Sequence, residues 1–222
     1  MIENKSPPFF ITFEGGEGVG KSTQVNRLSK FLSERSIDHI VTREPGGSKS
    51  AEIIRDLLVN GEPDQWDSET ELLLHFAARR DHLARKITPA LDDGLWVLCD
   101  RFVDSTYAYQ GYGHGISPNL IDNIYKFVAD EVFPDLTFIL DLNPEEGIQR
   151  TKKRSLSNKE VLSEDRYERM EIEFHKRIRK GFKEIALTNR ERCVLVDASL
   201  GEQEIYNNIV SIVIARCLEI TT

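Results

Sequence analysis

The stretch that most constrains this chain is a glycine-rich turn set between an apolar run and helix-compatible sequence. Phe9-Phe10-Ile11-Thr12-Phe13 leads through Glu14 into Gly15-Gly16-Glu17-Gly18-Val19-Gly20-Lys21-Ser22, and Thr23-Gln24-Val25-Asn26-Arg27-Leu28 continues with helical spacing. Gly-x-x-x-x-Gly-Lys-Ser in that strand-to-helix context is a phosphate-binding loop. The glycines let consecutive backbone N–H groups curl toward an anion, and the helix N-terminus behind them adds about half a positive charge. Lys21 reaches the β- and γ-phosphates of a nucleoside triphosphate, and the Ser22 hydroxyl is placed to hold Mg²⁺.

Further along, β-like runs recur at His39–Thr42, Leu95–Asp100, Leu136–Asp141 and Cys193–Asp197. Helical patterns separate them: Ser22–Ser33, a short stretch ending near Val59, Trp66 to about Leu91 with a kink or stop at Pro89, Pro118–Val132, a start at Pro144, Arg166–Asn189 and Glu202–Leu218. Arg150–Asp165 is charged and without a period, and is expected to be a loop. Five strands alternating with helices imply an α/β fold, a parallel sheet with helices on both faces and the ligand at the carboxyl ends of the strands. With the phosphate-binding loop this is the P-loop NTPase fold. The 222 residues fit a single domain, with 1–8 as a flexible arm and 150–165 as a mobile lid.

Charge narrows the partners. A net charge of −8 argues against a nucleic-acid surface. A polyanionic ligand then requires local positive charge. No apolar run reaches the roughly eighteen residues of a membrane span, and Met1–Pro8 lacks the basic start and apolar middle of a signal peptide. Cys99, Cys193 and Cys217 follow no metal spacing and are expected to be reduced core residues of a cytoplasmic protein.

Four further places carry candidate chemistry. Asp100 ends a buried strand where it can join a Mg²⁺ shell, and Arg101 beside it can clamp a phosphate; a strand-end ion pair is the competing interpretation. Arg43-Glu44-Pro45-Gly46-Gly47 also follows a strand, as a site or simply as turn chemistry. His75 and Arg79 share one face of the long helix, which alone reads equally as core packing. Arg150-Thr151-Lys152-Lys153-Arg154, with Arg166 beyond, is either a solvated cluster or the cations of a closing lid.

Taken together these pieces resemble the thymidylate kinases of the nucleoside monophosphate kinase superfamily, from Phe10 to the Asp197-Ala198-Ser199 corner. The resemblance rests on the loop, the Thr42-Arg43-Glu44-Pro45-Gly46-Gly47 turn, Ala77-Ala78-Arg79, and Asp100-Arg101-Phe102-Val103-Asp104-Ser105-Thr106-Tyr107-Ala108-Tyr109-Gln110-Gly111. It implies transfer of the γ-phosphate of ATP to dTMP, giving dTDP, with Mg²⁺, in a homodimeric cytoplasmic enzyme. Carried over by position, Gly15 to Thr23 would hold ATP, with Lys21 on its phosphates and Ser22 and Asp100 on the metal. Glu17 would stand near the acceptor's 3′-hydroxyl, and Arg101 would bind the dTMP phosphate. Arg43 would line the dTMP site and Arg79 would hydrogen-bond the thymine. Thr106 and Gln110 would lie along the base, and Tyr109 would crowd the sugar where a ribose carries its 2′-hydroxyl. Asp197 and Ala198 would lie beside the adenine, and Arg150 and Arg154 would be lid cations. Gly18, where the eukaryotic form carries an arginine, and the arginine-bearing lid mark the bacterial type.

The chain departs from the family in two places. His75 stands where the family has a thymine-stacking Phe, with Phe76 one residue later, and Lys152 stands where a further lid arginine is common. A P-loop kinase for UMP, CMP or a nucleoside is the nearest alternative. A nucleotide-binding module without transfer is another, and a GTPase lacks its guanine-reading Asn/Thr-Lys-x-Asp here.

Overall fold

The structure, a computed structural model, describes residues 7–129, 132–157 and 166–219, the side chains of 154–157 excepted. One parallel sheet holds β1 (Phe10–Gly15), β2 (His39–Arg43), β3 (Trp96–Asp100), β4 (Leu136–Asp141) and β5 (Cys193–Asp197) in the order β2-β3-β1-β4-β5. The helices between and around them are α1 (Lys21–Glu34), α2 (Lys49–Val59), α3 (Ser68–His82), α4 (Thr88–Asp92), α5 (Val103–Thr106), α6 (Pro118–Ala129), α7 (Pro144–Ser157), α8 (Ile172–Thr188) and α9 (Glu202–Val213). Segments of π-helix extend three of them, at Leu83–Ile87, Tyr107–Gly113 and Ile214–Leu218.

Alternation of side chains along the strands fills two faces. Ile11, Phe13, Leu98, Phe138 and Val196 meet Val25 and Leu28 of α1 and Ile205 and Ile209 of α9. On the opposite face Phe10, Val97 and Cys99 pack on Leu72 and Phe76 of α3 and Ile121 and Tyr125 of α6. Ile139 and Cys193 continue that face under Phe174, Ile178 and Phe182 of α8. All three cysteines are buried and free, as expected of core residues. None of the helices among the described residues is long and apolar enough to cross a membrane.

Each expected strand forms, and β1, the carrier of the loop, lies at the centre between β3 and β4. Register pairs Phe13 with Asp100 and Asp100 with Arg43, so β2 and β3 end at one level and β1 runs two residues further into the glycine-rich loop. The expected loop at Arg150–Asp165 is corrected: α7 carries helix through Ser157. Pro144 at its start, Glu145 and Glu146 in its first turn and a run of Arg, Lys and Leu all favour helix without needing an apolar stripe. Residues 158–165 of the expected lid and 1–6 of the expected arm lie outside the described residues. The helix expected from Arg166 is also corrected: turns occupy 166–169 and helix resumes at Ile172. α6 is described as far as Ala129; residues 130 and 131 lie outside the described residues, and Val132 is not helical.

Candidate active site

Gly20 enters α1 in the left-handed region, at φ 93°, and no side chain caps the helix start, so its first N–H groups point outward without a competing acceptor. Lys21 is buried, its Nζ donating to the carbonyls of Gly15 at 3.2 Å and Gly16 at 2.7 Å. Burial, together with the Arg101 charge, lowers its pKa to about 8. The Ser22 hydroxyl donates to Asp100 Oδ2 at 2.5 Å, which joins the helix start to the end of β3. These are hard oxygen donors at a solvent-facing site, the set Mg²⁺ accepts when phosphate and water complete its octahedron. The residues present therefore fit that ion. No group of three or more His, Cys, Asp or Glu suited to a metal occurs among the described residues.

Arg101 occupies the left-handed region at φ 69°, a conformation that costs a non-glycine residue about 1–3 kcal/mol. Its guanidinium donates to Gly15 O at 2.9 Å and Ser105 Oγ at 3.2 Å through one nitrogen, and to Glu17 Oε1 at 2.9 Å through the other. The Tyr109 hydroxyl donates to the same Glu17 oxygen at 2.7 Å. Burial alone would raise Glu17; the Arg101 and Lys21 charges outweigh it and hold the carboxyl at about 2, so it is ionised at neutral pH. Glu14 is fully buried, and its oxygens accept from Phe102 N–H at 2.7 Å and from the Ser105 hydroxyl at 2.6 Å. Burial and the neighbouring Asp104 push its pKa up to about 8.

A second buried arginine lies deeper. Arg79 donates to Glu44 Oε2 at 2.7 Å, Thr106 Oγ1 at 3.0 Å and the Phe102 carbonyl at 3.1 Å. Glu44 in turn meets His82 Nδ1 at 3.0 Å, and His82 Nε2 meets Thr42 Oγ1 at 2.7 Å. Burial would raise the Glu44 carboxyl, yet Arg79 and His82 bring it below its ordinary value. Gln110 donates to the buried Glu71 at 2.8 Å. His75, not Phe76, faces the open space: Phe76 is in the core, whereas His75 Nε2 lies 3.0 Å from the Tyr167 hydroxyl. Burial lowers the imidazole to about 4, so the ring is neutral.

These groups surround one cavity of about 380 Å³, lined by Glu17 to Thr23 on one side and by Arg43, His75, Arg79, Asp100, Arg101, Thr106, Tyr109 and Gln110 on the others. Arg43 stands at its rim, half exposed and paired with Glu52 at 3.0 Å. The structure thus brings together most residues singled out from the sequence. It keeps others apart. Asp197 is exposed and caps Ser199 N–H at 2.9 Å; Ala198 N–H binds the Asp141 carbonyl; Arg150 donates to the Ala198 carbonyl at 3.2 Å and pairs with Glu146 at 2.6 Å. That corner lies across the loop from the cavity lining. The Arg154 side chain lies outside the described residues.

Arg166 is a correction. Rather than joining the lid cations it is buried, donating to the carbonyls of Leu58, Glu62 and Pro63 and pairing with Glu71 at 2.5 Å. Gly18 also acquires a physical reason: a Cβ there would sit 2.1 Å from the Gly147 carbonyl, so α7 and the loop touch backbone to backbone. Residues the sequence did not single out are Glu14, Arg55, Tyr167 and Glu168, all but Glu14 on the cavity wall; Glu44 and Ser105 lie in stretches the sequence marked, but without a role of their own. Only Glu14 carried a signal, an acid inside a strand otherwise apolar.

Comparison with known proteins follows the same lines. The family model described as thymidylate kinase matches residues 13–209. The thymidylate kinase of Caulobacter vibrioides is 48% identical over 208 residues, 94% of this chain and 97% of that protein. That of Jannaschia sp. is 47% identical over 213 residues, 96% of this chain and 99% of its own. The crystal structure of thymidylate kinase from Ehrlichia chaffeensis superposes with a TM-score of 0.72 at 36% identity, covering 93% of this chain and 98% of that one. With the loop, the cavity and matches over nearly its whole length in agreement, this chain belongs to the thymidylate kinase family, and it is a phosphotransferase.

Proposed function

We propose that the chain transfers the γ-phosphate of ATP to dTMP, giving dTDP and ADP, with Mg²⁺ held by Ser22 and Asp100. What supports the reading above all is that Lys21 of the phosphate loop and Arg101 line the same 380 Å³ cavity, with the ionised Glu17 of that loop paired to Arg101 at 2.9 Å. Transfer is in line, with little covalent work for the protein: two polyanions must be brought together and their charge compensated. Lys21 and the outward N–H groups of α1 take the donor phosphates. Arg101 takes the acceptor phosphate and, through Glu17 and Gly15, is tied to the donor loop. Glu17 stands beside the acceptor's 3′-hydroxyl and Tyr109 closes the space a 2′-hydroxyl would need. Arg79, Thr106, Gln110, His75 and Arg43 line the nucleoside end. Asp197 and Ala198 border the adenine, and Arg150 and Arg154 supply charge from α7. Held by Ser22 and Asp100, Mg²⁺ would supply positive charge against the donor phosphates.

Positioning of this kind contributes on the order of 7–11 kcal/mol to the barrier reduction. The base is a smaller problem, since one methyl is worth about 1–3 kcal/mol, so dTMP over dUMP is a modest preference. We also take the enzyme to act as a homodimer in the cytoplasm, and light scattering on a sizing column decides the first. The test of function is an ADP-release assay with ATP, Mg²⁺ and a panel of dTMP, dUMP, UMP, dCMP and no acceptor. The highest kcat/KM is expected with dTMP. A different preferred acceptor, or ADP formed without one, overturns the assignment.

A further inference from the structure

We propose that Glu14 is a positioning residue for Arg101: its buried carboxyl grips the chain after Arg101 at two points and keeps the guanidinium aimed at the loop and the cavity.

Among the described residues only Ser36 and Arg101 adopt positive φ without being glycine. A left-handed arginine in a binding site persists only where its neighbours hold it. The hold here is specific. Arg101 N–H donates to the Phe13 carbonyl at 2.9 Å, one residue before Glu14. Phe102 N–H donates to Glu14 Oε1 at 2.7 Å, and the Ser105 hydroxyl donates to Glu14 Oε2 at 2.6 Å. Ser105 Oγ then accepts from the Arg101 guanidinium at 3.2 Å. Both oxygens of one carboxyl are therefore used on the segment that sets the Arg101 backbone and side chain.

A carboxyl with no exposed surface is costly unless its partners are in place. The neighbouring Asp104 is occupied elsewhere, taking Arg192 bidentately at 2.8 Å to each oxygen. The Glu14 carboxyl meets the Phe102 N–H and the Ser105 hydroxyl, both in the segment that follows Arg101.

The test is a double-mutant cycle on kcat/KM for the acceptor, with folding followed by circular dichroism; it rests on the kinase reading only for its assay. Glu14→Ala is expected to lower kcat/KM by about 100-fold, the scale of a misplaced catalytic group. Glu14→Gln, whose amide oxygen still accepts from Phe102 N–H, is expected to restore most of that loss. In an Arg101→Lys background, Glu14→Ala should cost less than a further factor of about 3, because its effect runs through the guanidinium. Equal losses in both backgrounds, or wild-type kcat/KM in Glu14→Ala, overturn the proposal. Should Glu14→Ala not fold, Ser105→Ala in the same two backgrounds makes the same decision from one hydroxyl. If wild type prefers another acceptor, the function assignment fails while the cycle, run on that acceptor, still judges Glu14.

Discussion

Arg101 and Arg150 carry the same charge on two sides of the phosphate loop, in opposite settings. The Arg101 side chain is 15% exposed and bound to the loop carbonyl, to Glu17 and to Ser105, while Tyr109 lies under its guanidinium with the ring centroid 5.0 Å away. The Arg150 side chain is 39% exposed, sharing Glu146 four residues back and one carbonyl at the Ala198 corner. The first is preorganised: its partners fix its orientation, so a phosphate bound there would meet a group needing little reorganisation. The second is a cation on a solvated helix, screened and free to change partners at small cost. On the proposed reading, one half of the site would place charge and the other would deliver it.

The contrast can be broken most severely at Arg79, which shares the inner half's construction. Arg79→Ala strands Glu44 in the core and should reduce unfolding free energy by about 3–5 kcal/mol in urea titration; a loss under 1 kcal/mol would mean the inner arginines are not held by their carboxylates. Lys21→Met should leave the fold intact and lower turnover by roughly two to three powers of ten, the value of one well-placed charge donor. Near-normal turnover would remove the loop from the chemistry. For the outer half, Arg150→Ala should change stability by no more than about 0.5 kcal/mol while lowering kcat on the order of tenfold. A stability loss as large as that of Arg79→Ala would erase the distinction.

A different kind of effect is a pH slope. Folded, Glu14 keeps its proton to about pH 8, whereas its ordinary value is 4.5. Between these values the folded state binds more protons than the unfolded one, so this group makes stability fall as pH rises through the window. Glu14→Gln should therefore gain stability relative to wild type from pH 5 to 8. A difference that stays flat would show that the buried carboxyl is not protonated there.

Much of the site was legible because its chemistry lies in consecutive residues. The loop from Gly15 to Ser22, the strand-end pair Asp100-Arg101 and the segment to Gln110 each declare themselves by local spacing, and the sheet brings their ends together automatically. Less legible were residues whose role depends on a distant partner. Arg166 reads as one more surface cation until Glu71, the Leu58 carbonyl at the end of α2 and the Glu62 and Pro63 carbonyls of the α2–α3 connection surround it. The relay from Thr42 through His82 and Glu44 to Arg79 joins β2, the turn after it and α3, and no spacing announces it. α7 extends past Arg150 because helix propensity suffices without an apolar stripe, a weak signal in a charged sequence.

By itself, then, the sequence determined the strand–loop–helix, the alternation that makes a parallel sheet, and the location of phosphate binding, since each follows from local backbone preference and from side-chain periodicity. Only the tertiary structure decided which charges are buried and held and which stay in water. That depends on desolvation and on partners far apart in the chain, such as Glu14 with Ser105 and Gly18 against Gly147. A charged side chain looks the same in one dimension whether it meets solvent or a buried carboxylate, and only packing tells them apart.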